Sequence, residues 1–225
     1  MNAKVAGVMS TNVIAVRENA SFKEIAAKLR DQRISAFPVI DEDSKVIGVV
    51  SEADLIAKEV FEDDGGEDNS GPPSGLIHRR DLEKAKGVTA RELMSQPAVT
   101  VWPDDTVRHA ARLMYDRRVK RLPVVDGAGR LVGIVSRTDV LTVYNRPDQE
   151  IYHQITDVIR QEFRTDPLSY RVTVQDGVVT LAGEPETAAI GQEIVGAVRH
   201  IESVVAVRDR LEYPGNDLHP YGPRY

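Results

Sequence analysis

The chain has 225 residues, of which 41% are hydrophobic and 28% charged, a composition typical of soluble globular proteins. The absence of cysteine excludes disulfide bonds, thiolate zinc sites and cysteine catalysis, and the net charge of −6 argues against nucleic-acid binding, which needs a continuous basic footprint. Since no apolar run approaches the roughly 18 residues of a membrane span and no secretory signal is recognisable, we expect a cytoplasmic protein.

An internal repeat organises the first two thirds of the chain, because residues 5–56 align with residues 90–141 at a constant offset of 85 without a gap. Identical pairs in the two copies include Met9-Ser10 and Met94-Ser95, Pro38 and Pro123, Gly48 and Gly133, Ser51 and Ser136, and Asp54 and Asp139.

Each copy predicts the element order β-α-β-β-α. The strands expected in the two copies are Val13–Val16 and Val99–Val101, Phe37–Ile40 and Leu122–Val125, and Val46–Val50 and Leu131–Val135. A capping box that begins at Ser21 predicts the start of the first helix, and the last helix of each copy begins at Ser51 or Ser136.

A segment rich in Gly, Pro and acidic residues, 59–75, separates the copies and is predicted to be a flexible loop, with a short helix over Asp81–Lys86 after it. After Pro147 the apolar spacing predicts a smaller α-β-β-α-β domain with a hairpin turn at Asp176-Gly177. We therefore predict an α+β protein with repeats at 1–58 and 88–146, a linker at 59–87, a third domain at 147–213 and a tail at 214–225.

The string Gly-x-x-Ser-x-x-Asp occurs at a strand-to-helix junction in both copies, ending in Asp54 and in Asp139. One interpretation is a helix cap, because Ser-x-x-Asp before an apolar run is a capping pattern. The other is an anion site, in which free N–H groups and the serine hydroxyl face a phosphate, the aspartate accepts from a ribose diol and the glycine lets the backbone approach the ligand.

These motifs resemble a tandem pair of CBS domains, a Bateman module, over residues 5–141. The resemblance implies two pseudo-symmetric domains that bind adenosine compounds such as AMP, ADP or ATP in the clefts between them, and a homodimer formed through the CBS pairs. Carried over by position, it implies Asp54 and Asp139 as ribose ligands and Ser51 and Ser136 beside phosphate or ribose. It implies one adenine slot at Val13, Ile14, Ala36, Phe37 and Pro38, and another at Val99, Thr100, Arg121, Leu122 and Pro123.

The two copies differ in charge. The second contains Arg117, Arg118, Lys120, Arg121 and Arg137, whereas the first has Glu52 at the position of Arg137. Because phosphate prefers cations, we expect Ser136 and Asp139 to form the better site for a charged ligand. The alternative is a solvated basic face at a helix end.

Residues 150–213 resemble a BON domain through Val172–Glu184, Thr187–Ala189 and Val204–Val207, although Glu202-Ser203 stands where the family usually has a glycine. The resemblance implies a binding module that contacts phospholipid. Because the segment is acidic and shows no basic amphipathic face, binding to anionic lipid through charge is disfavoured, and a protein contact is at least equally expected.

The sequence thus predicts a non-enzymatic sensor of adenine nucleotides that relays its state through the BON domain. The five histidines are not spaced as metal ligands and no carboxylate pair is set apart, so we expect no catalytic residue, metal site or cofactor. The rival is a structural or stress-interaction protein with a CBS dimerisation scaffold and a BON domain that binds phospholipid or a protein.

Overall fold

The structure, a computed structural model, describes residues 3–62 and 87–214 and divides into two compact units. One unit is Lys4–Arg137, and the other contains the described residues from Thr138 onward together with Ala3. The predicted helix over 81–86, most of the predicted loop and nearly all of the tail lie outside the described residues. Within the described part, no helix combines the length and the apolar character needed to cross a membrane.

The first repeat forms a three-stranded sheet with two helices. Its elements are β1 (Val16–Arg17), α1 (Phe22–Gln32), β2 (Ala36–Ile40), β3 (Val46–Ser51) and α2 (Glu52–Glu62). Strand β2 lies in the middle, parallel to β1 and antiparallel to β3. The side chain of Ser21 caps α1 by accepting from the Glu24 N–H, as the capping box predicts.

The second repeat has the same order from its long helix onward, α-β-β-α, but begins with a short helix instead of a strand. Its elements are α3 (Ala90–Leu93), α4 (Val107–Asp116), β4 (Arg121–Val125), β5 (Leu131–Ser136) and α5 (Arg137–Leu141). The predicted strand at 99–101 is reduced to one parallel bridge between Val101 and Val124, and the predicted strand at 13–16 contributes only Val16 to β1. Mixed α+β architecture with two equivalent repeats is confirmed.

The offset of 85 recurs in the backbone geometry. Strand pairing shifts register between Val39 and Ile40 in one repeat and between Val124 and Val125 in the other. Antiparallel bridges also come in matched pairs, since Ser10 pairs with Ile134 as Ser95 pairs with Val49. The repeats are therefore related by an internal pseudo-two-fold symmetry.

Each repeat contributes its first segment to the other repeat. Ala90, Leu93 and Met94 are buried in the hydrophobic core of the first repeat, beside Phe37 and Val50. The N–H of Ala90 donates to the Ala20 carbonyl at 2.8 Å, and the equivalent N–H of Val5 donates to the Asp105 carbonyl at 2.9 Å. Neither core is complete without the other repeat, so the two repeats form one structural unit.

Helix α2 extends through residue 62, and the prediction of a loop from residue 59 is therefore wrong for residues 59–62. Good helix formers, Ala57, Lys58 and Glu59, continue the helix in the sequence before the Asp-Asp-Gly-Gly run at 63–66.

The carboxy-terminal unit contains α6 (Asp148–Glu162), β6 (Tyr170–Gln175), β7 (Val178–Gly183), α7 (Ala188–Arg199) and β8 (Ala206–Leu211). The sheet order is β6-β7-β8, with β6 antiparallel and β8 parallel to β7. The predicted order α-β-β-α-β is observed. Both helices pack on one face of the sheet around a core that includes Ile155, Leu181 and Ile194.

Residues 138–146, which we predict as part of the second repeat, belong to the carboxy-terminal unit. Arg146 donates to the Gln154 side chain at 2.7 Å, and the Ser203 hydroxyl donates to the Val143 carbonyl. Ser203 is buried and has a φ of 70°. This left-handed conformation explains why a glycine suits the position, because glycine adopts it without steric cost.

Candidate nucleotide site

The junction between β3 and α2 holds the first Ser-x-x-Asp motif in a closed geometry. Asp54 Oδ2 accepts from the Ser51 N–H at 2.8 Å and from the Ser51 hydroxyl at 2.6 Å. This is the capping interpretation of the motif, since an acid in the first helical turn reaches back to the residue that precedes the helix. The same two bonds fix the direction of the Asp54 carboxylate.

A cavity of about 420 Å³ lies beside this junction, within the Lys4–Arg137 unit. Both repeats line it, with mainly small and apolar side chains and a minority of charged ones. Its walls are Ser35, Ala36, Val49, Ser51, Glu52, Ala53, Asp54 and Ile56 from the first repeat, and Ser95, Pro97, Ala98, Val99, Arg118, Val119, Lys120 and Arg121 from the second. This volume, and a lining of apolar side chains with a few charged ones, are typical of a small-molecule site.

Three cations of the second repeat line the cavity that contains Asp54. Arg121 donates to the Ser35 hydroxyl at 3.1 Å and to the Ala36 carbonyl at 3.4 Å, while Arg118 and Lys120 are exposed. The expectation that these cations favour the Ser136 and Asp139 site is therefore not supported by their placement. The charge argument applies instead to the cavity beside Ser51 and Asp54.

The residues that sequence reasoning missed include Ser35 and Ser95. The Ser95 hydroxyl lies 3.5 Å from Asp54 Oδ1, on the opposite side of the carboxylate from Ser51. The sequence did mark Ser95, because it belongs to the Met-Ser pair that both copies share. The pair precedes the first predicted strand, however, and its position beside Asp54 depends on the exchange of segments between the repeats.

The expectation that Gly48 lets the backbone approach a ligand is wrong. A Cβ placed on Gly48 would lie 2.3 Å from Met94 Sδ and 2.7 Å from Met94 Cγ, and one on Gly133 would lie 2.6 Å from Met9 Sδ. The repeated glycine accommodates the methionine of the other repeat, and the space that it leaves is filled by protein.

Several residues expected in the two adenine slots do not line the described cavity. The side chains of Phe37 and Leu122 are fully buried and do not line the described cavity, because alternate residues of β2 and β4 face opposite sides of the sheet. Also absent from its lining are Val13, Ile14, Pro38, Thr100 and Pro123. Ala36, Val99, Lys120 and Arg121 do line it, as do Ser51 and Asp54.

The second Ser-x-x-Asp motif lies at the equivalent junction, between β5 and α5. Ser136 is the last residue of β5, and Asp139 lies in α5 beyond the boundary of the first compact unit. Arg137 is exposed, its Nε donates to the Val119 carbonyl at 3.3 Å, and it is not among the residues that line the described cavity. A ligand site at Ser136 and Asp139 stays a prediction.

Comparisons with known proteins agree with this organisation. The CBS domain family matches residues 5–61 and 90–146, and the BON domain family matches residues 148–215. An uncharacterized protein of Methanopyrus kandleri is 32% identical over 142 residues, which are 63% of either chain. The CBS domain-containing protein CBSX1, chloroplastic, of Arabidopsis thaliana is 33% identical over 134 residues, 56% of either chain.

The matched regions thus span about 60% of these relatives' own lengths. Among solved structures, the crystal structure of the CBS domain pair of protein MJ0100 in complex with 5′-methylthioadenosine and S-adenosyl-L-methionine superposes with a TM-score of 0.51 at 23% identity. It covers 64% of this chain and 98% of that one, and the likeness is one of fold.

Proposed function

Because the chain belongs to the CBS-domain family and carries a BON domain after its CBS pair, we propose that it is a regulatory protein that binds an adenine nucleotide. The proposed site is the cavity of about 420 Å³ beside Ser51 and Asp54. The observation that carries the proposal is that this cavity combines an oriented carboxylate, apolar walls and three cations.

Each part of the cavity suits one part of a nucleotide. Val49, Ile56 and Val99 offer apolar surface to an adenine ring. Asp54 carries a fixed carboxylate that accepts hydrogen bonds from a ribose diol, as neighbouring hydroxyls require two acceptor positions. The cations described above then attract the phosphates, and guanidinium groups suit phosphate oxygens especially well.

The affinity of the cavity for charged ligands depends on opposing charges. Glu52 lines the same cavity as Lys120 and Arg121, so it repels phosphate where the cations attract it.

We propose one nucleotide in this cavity, with Ser136 and Asp139 as a second site. The remaining parts of the proposal are a homodimer of CBS pairs, relay of the bound state through the BON domain, no enzymatic activity and a cytoplasmic location.

The rival function is a scaffold in which the Ser-x-x-Asp motifs serve only as helix caps. It has support from the structure, because Asp54 is already engaged by the Ser51 N–H and hydroxyl. In that case the CBS pair holds two copies together, and the BON domain binds phospholipid or a protein.

Isothermal titration calorimetry of the full chain with AMP, ADP, ATP, NADH, S-adenosylmethionine and GTP distinguishes the two. We expect one adenosine compound to bind, Lys120→Gln to weaken it by about fivefold, and Asp54→Asn to weaken it by about tenfold or more. Lys23→Gln on the exposed face of α1 is the matched control, because it also removes an exposed lysine charge but lies outside the cavity.

Binding that is lost in Asp139→Asn and retained in Asp54→Asn assigns the ligand to the second motif instead. Heat-neutral titrations with every compound, together with a dimer in light scattering, favour the scaffold. A thermal shift gives an independent readout, since a ligand at 100 times its dissociation constant stabilises the folded state by about 2.7 kcal/mol.

A further inference from the structure

The sheet of the carboxy-terminal unit has one face on which the outward side chains of β6 and β8 are exposed. Helices α6 and α7 pack against the other face, toward which Tyr170, Leu181 and Leu211 point. The outward positions are the alternate residues Arg171, Thr173 and Gln175 on β6, Val178, Thr180 and Ala182 on β7, and Ala206, Arg208 and Arg210 on β8.

Strand register brings the basic residues of this face together. Arg171 and Arg210 pair with Ala182 from either side, and Arg208 pairs with Thr180, which pairs in turn with Thr173. Arg208 and Arg210 are two residues apart on one strand, about 7 Å, and Arg171 is two strands from Arg210, about 10 Å. We call this set of three arginines and two threonines the arginine face.

The arginines are available to a partner. All three are exposed, and none forms an ion pair within the described residues. Residues 148–213 contain six basic and twelve acidic side chains, yet half of the bases occupy nine outward positions that include no acid. A basic surface has therefore been concentrated on one side of an acidic domain.

A shallow cavity of about 270 Å³ lies on the same face. Arg208 lines it together with the hydroxyl-bearing Thr173 and Thr180, beside Gln175 and Val178, and Asp176 of the hairpin turn stands at its margin. A guanidinium next to two hydroxyls provides several donors for one carboxylate, while Asp176 limits the charge that this end of the face accepts.

We infer that the arginine face binds an extended acidic segment of a partner protein, one with carboxylates at alternate positions. Alternate side chains of an extended chain point to one side about 7 Å apart, which matches the spacing of Arg208 and Arg210. Arginine also pairs with carboxylates in a bidentate geometry.

The face suits a polypeptide better than a nucleic acid or a membrane. None of its nine outward residues is aromatic, whereas single-stranded nucleic acids are bound by stacking on aromatic side chains. Its exposed side chains are polar or small, and none of the nine outward residues is among the large hydrophobic side chains exposed in the described part of the chain. Insertion into a lipid interface requires such side chains.

The test uses the full-length protein and fluorescence anisotropy with a labelled peptide of alternating Glu and Ser. We expect saturable binding that weakens as salt is raised and is stronger than binding of a block peptide with the same composition. Arg208→Gln and Arg210→Gln should each weaken binding about threefold, and the double variant about tenfold. Arg160→Gln, an exposed arginine of α6, should leave it unchanged.

Three results would overturn the inference. The first is no binding of the alternating peptide at low salt, and the second is equal binding by the wild type and the Arg208→Gln/Arg210→Gln variant. The third is arginine-dependent binding to vesicles of anionic phospholipid or to an oligonucleotide without binding of the peptide, which assigns the face to that class of partner. Because all three arginines are exposed, their variants should fold normally, and circular dichroism checks this.

Discussion

Replacement of Gly48 by alanine tests the packing of the two repeats against each other. The new Cβ would lie 2.3 Å from Met94 Sδ, 2.7 Å from Cγ and 3.0 Å from Cβ. Rotation of the methionine side chain relieves the first two contacts but not the third. Met94 is only 4% exposed, and the neighbouring Ser95 N–H donates to the Val49 carbonyl at 2.8 Å, which holds the two segments together.

We expect Gly48→Ala to lower the free energy of unfolding by about 1–3 kcal/mol, the usual cost of an overpacked core. The assay is urea unfolding followed by circular dichroism and by the fluorescence of Trp102, the only tryptophan, which lies in the same compact unit. Met94→Ala alone leaves a cavity and should cost about 2–5 kcal/mol. The double variant should be more stable than the sum of the single effects indicates, by about 1 kcal/mol or more.

Gly127→Ala is the matched control, because nothing lies within 4 Å of a Cβ at that position and its φ is not left-handed. Its effect should stay within about 0.5 kcal/mol. The reasoning is refuted if Gly48→Ala is as stable as Gly127→Ala, or if the effects of Gly48→Ala and Met94→Ala simply add. Either result would mean that Met94 does not occupy the space above Gly48.

Three further predictions concern the carboxy-terminal unit. Ser203→Ala should destabilise it by about 1–2 kcal/mol, measured by urea unfolding, because the hydroxyl bond is lost. Ser203→Gly should destabilise it by less, because glycine loses the same bond but relieves the unfavourable positive φ that alanine keeps. Asp148→Ala should cost about 1–3 kcal/mol in the same assay, because its carboxylate accepts from the Asp176 N–H at 2.7 Å. Burial, followed by the hydrogen bond to Asp209, raises the pKa of Tyr213 to about 12 from 10.0. The folded state favours the neutral phenol, so this contribution to the free energy of unfolding is present below pH 10 and lost toward pH 12. The free energy of unfolding of Tyr213→Phe should therefore decline less steeply than that of the wild type over that range.

Much of the fold follows from local patterns along the chain. The β2–β3 and β4–β5 strand pairs follow from short apolar runs on either side of turn-forming residues, and each predicted strand differs from the observed one by one residue at one end. The cap at Ser21 and the hairpin turn at Asp176-Gly177 were equally predictable from the sequence, because each depends on residues close together in the chain. The family matches confirm the assignment of two CBS repeats and a BON domain.

The composition of the candidate site was less predictable. The two motifs were recognised, yet the cavity beside Asp54 is completed by Val99, Lys120 and Arg121 from the other repeat. An alignment of the repeats shows which residues are equivalent but not which ones meet across a pseudo-two-fold axis. Arg118, Lys120 and Arg121, which we expected beside Ser136 and Asp139, therefore line the cavity of Asp54. Gly48, which the anion-site interpretation placed against a ligand, faces Met94.

The same distinction holds in the carboxy-terminal unit. Sequence determined that the segment is acidic and that its strands alternate, because both properties are local. Only the tertiary structure decided that Arg171, Arg208 and Arg210 share one open face. Parallel pairing of β7 with β8 brings Arg208 and Arg210 onto the same face as Arg171, which precedes them by almost forty positions in the sequence. The register of that pairing depends on the burial of the opposite face against two helices. Patterns in the chain thus specify elements, and packing specifies which side chains become neighbours.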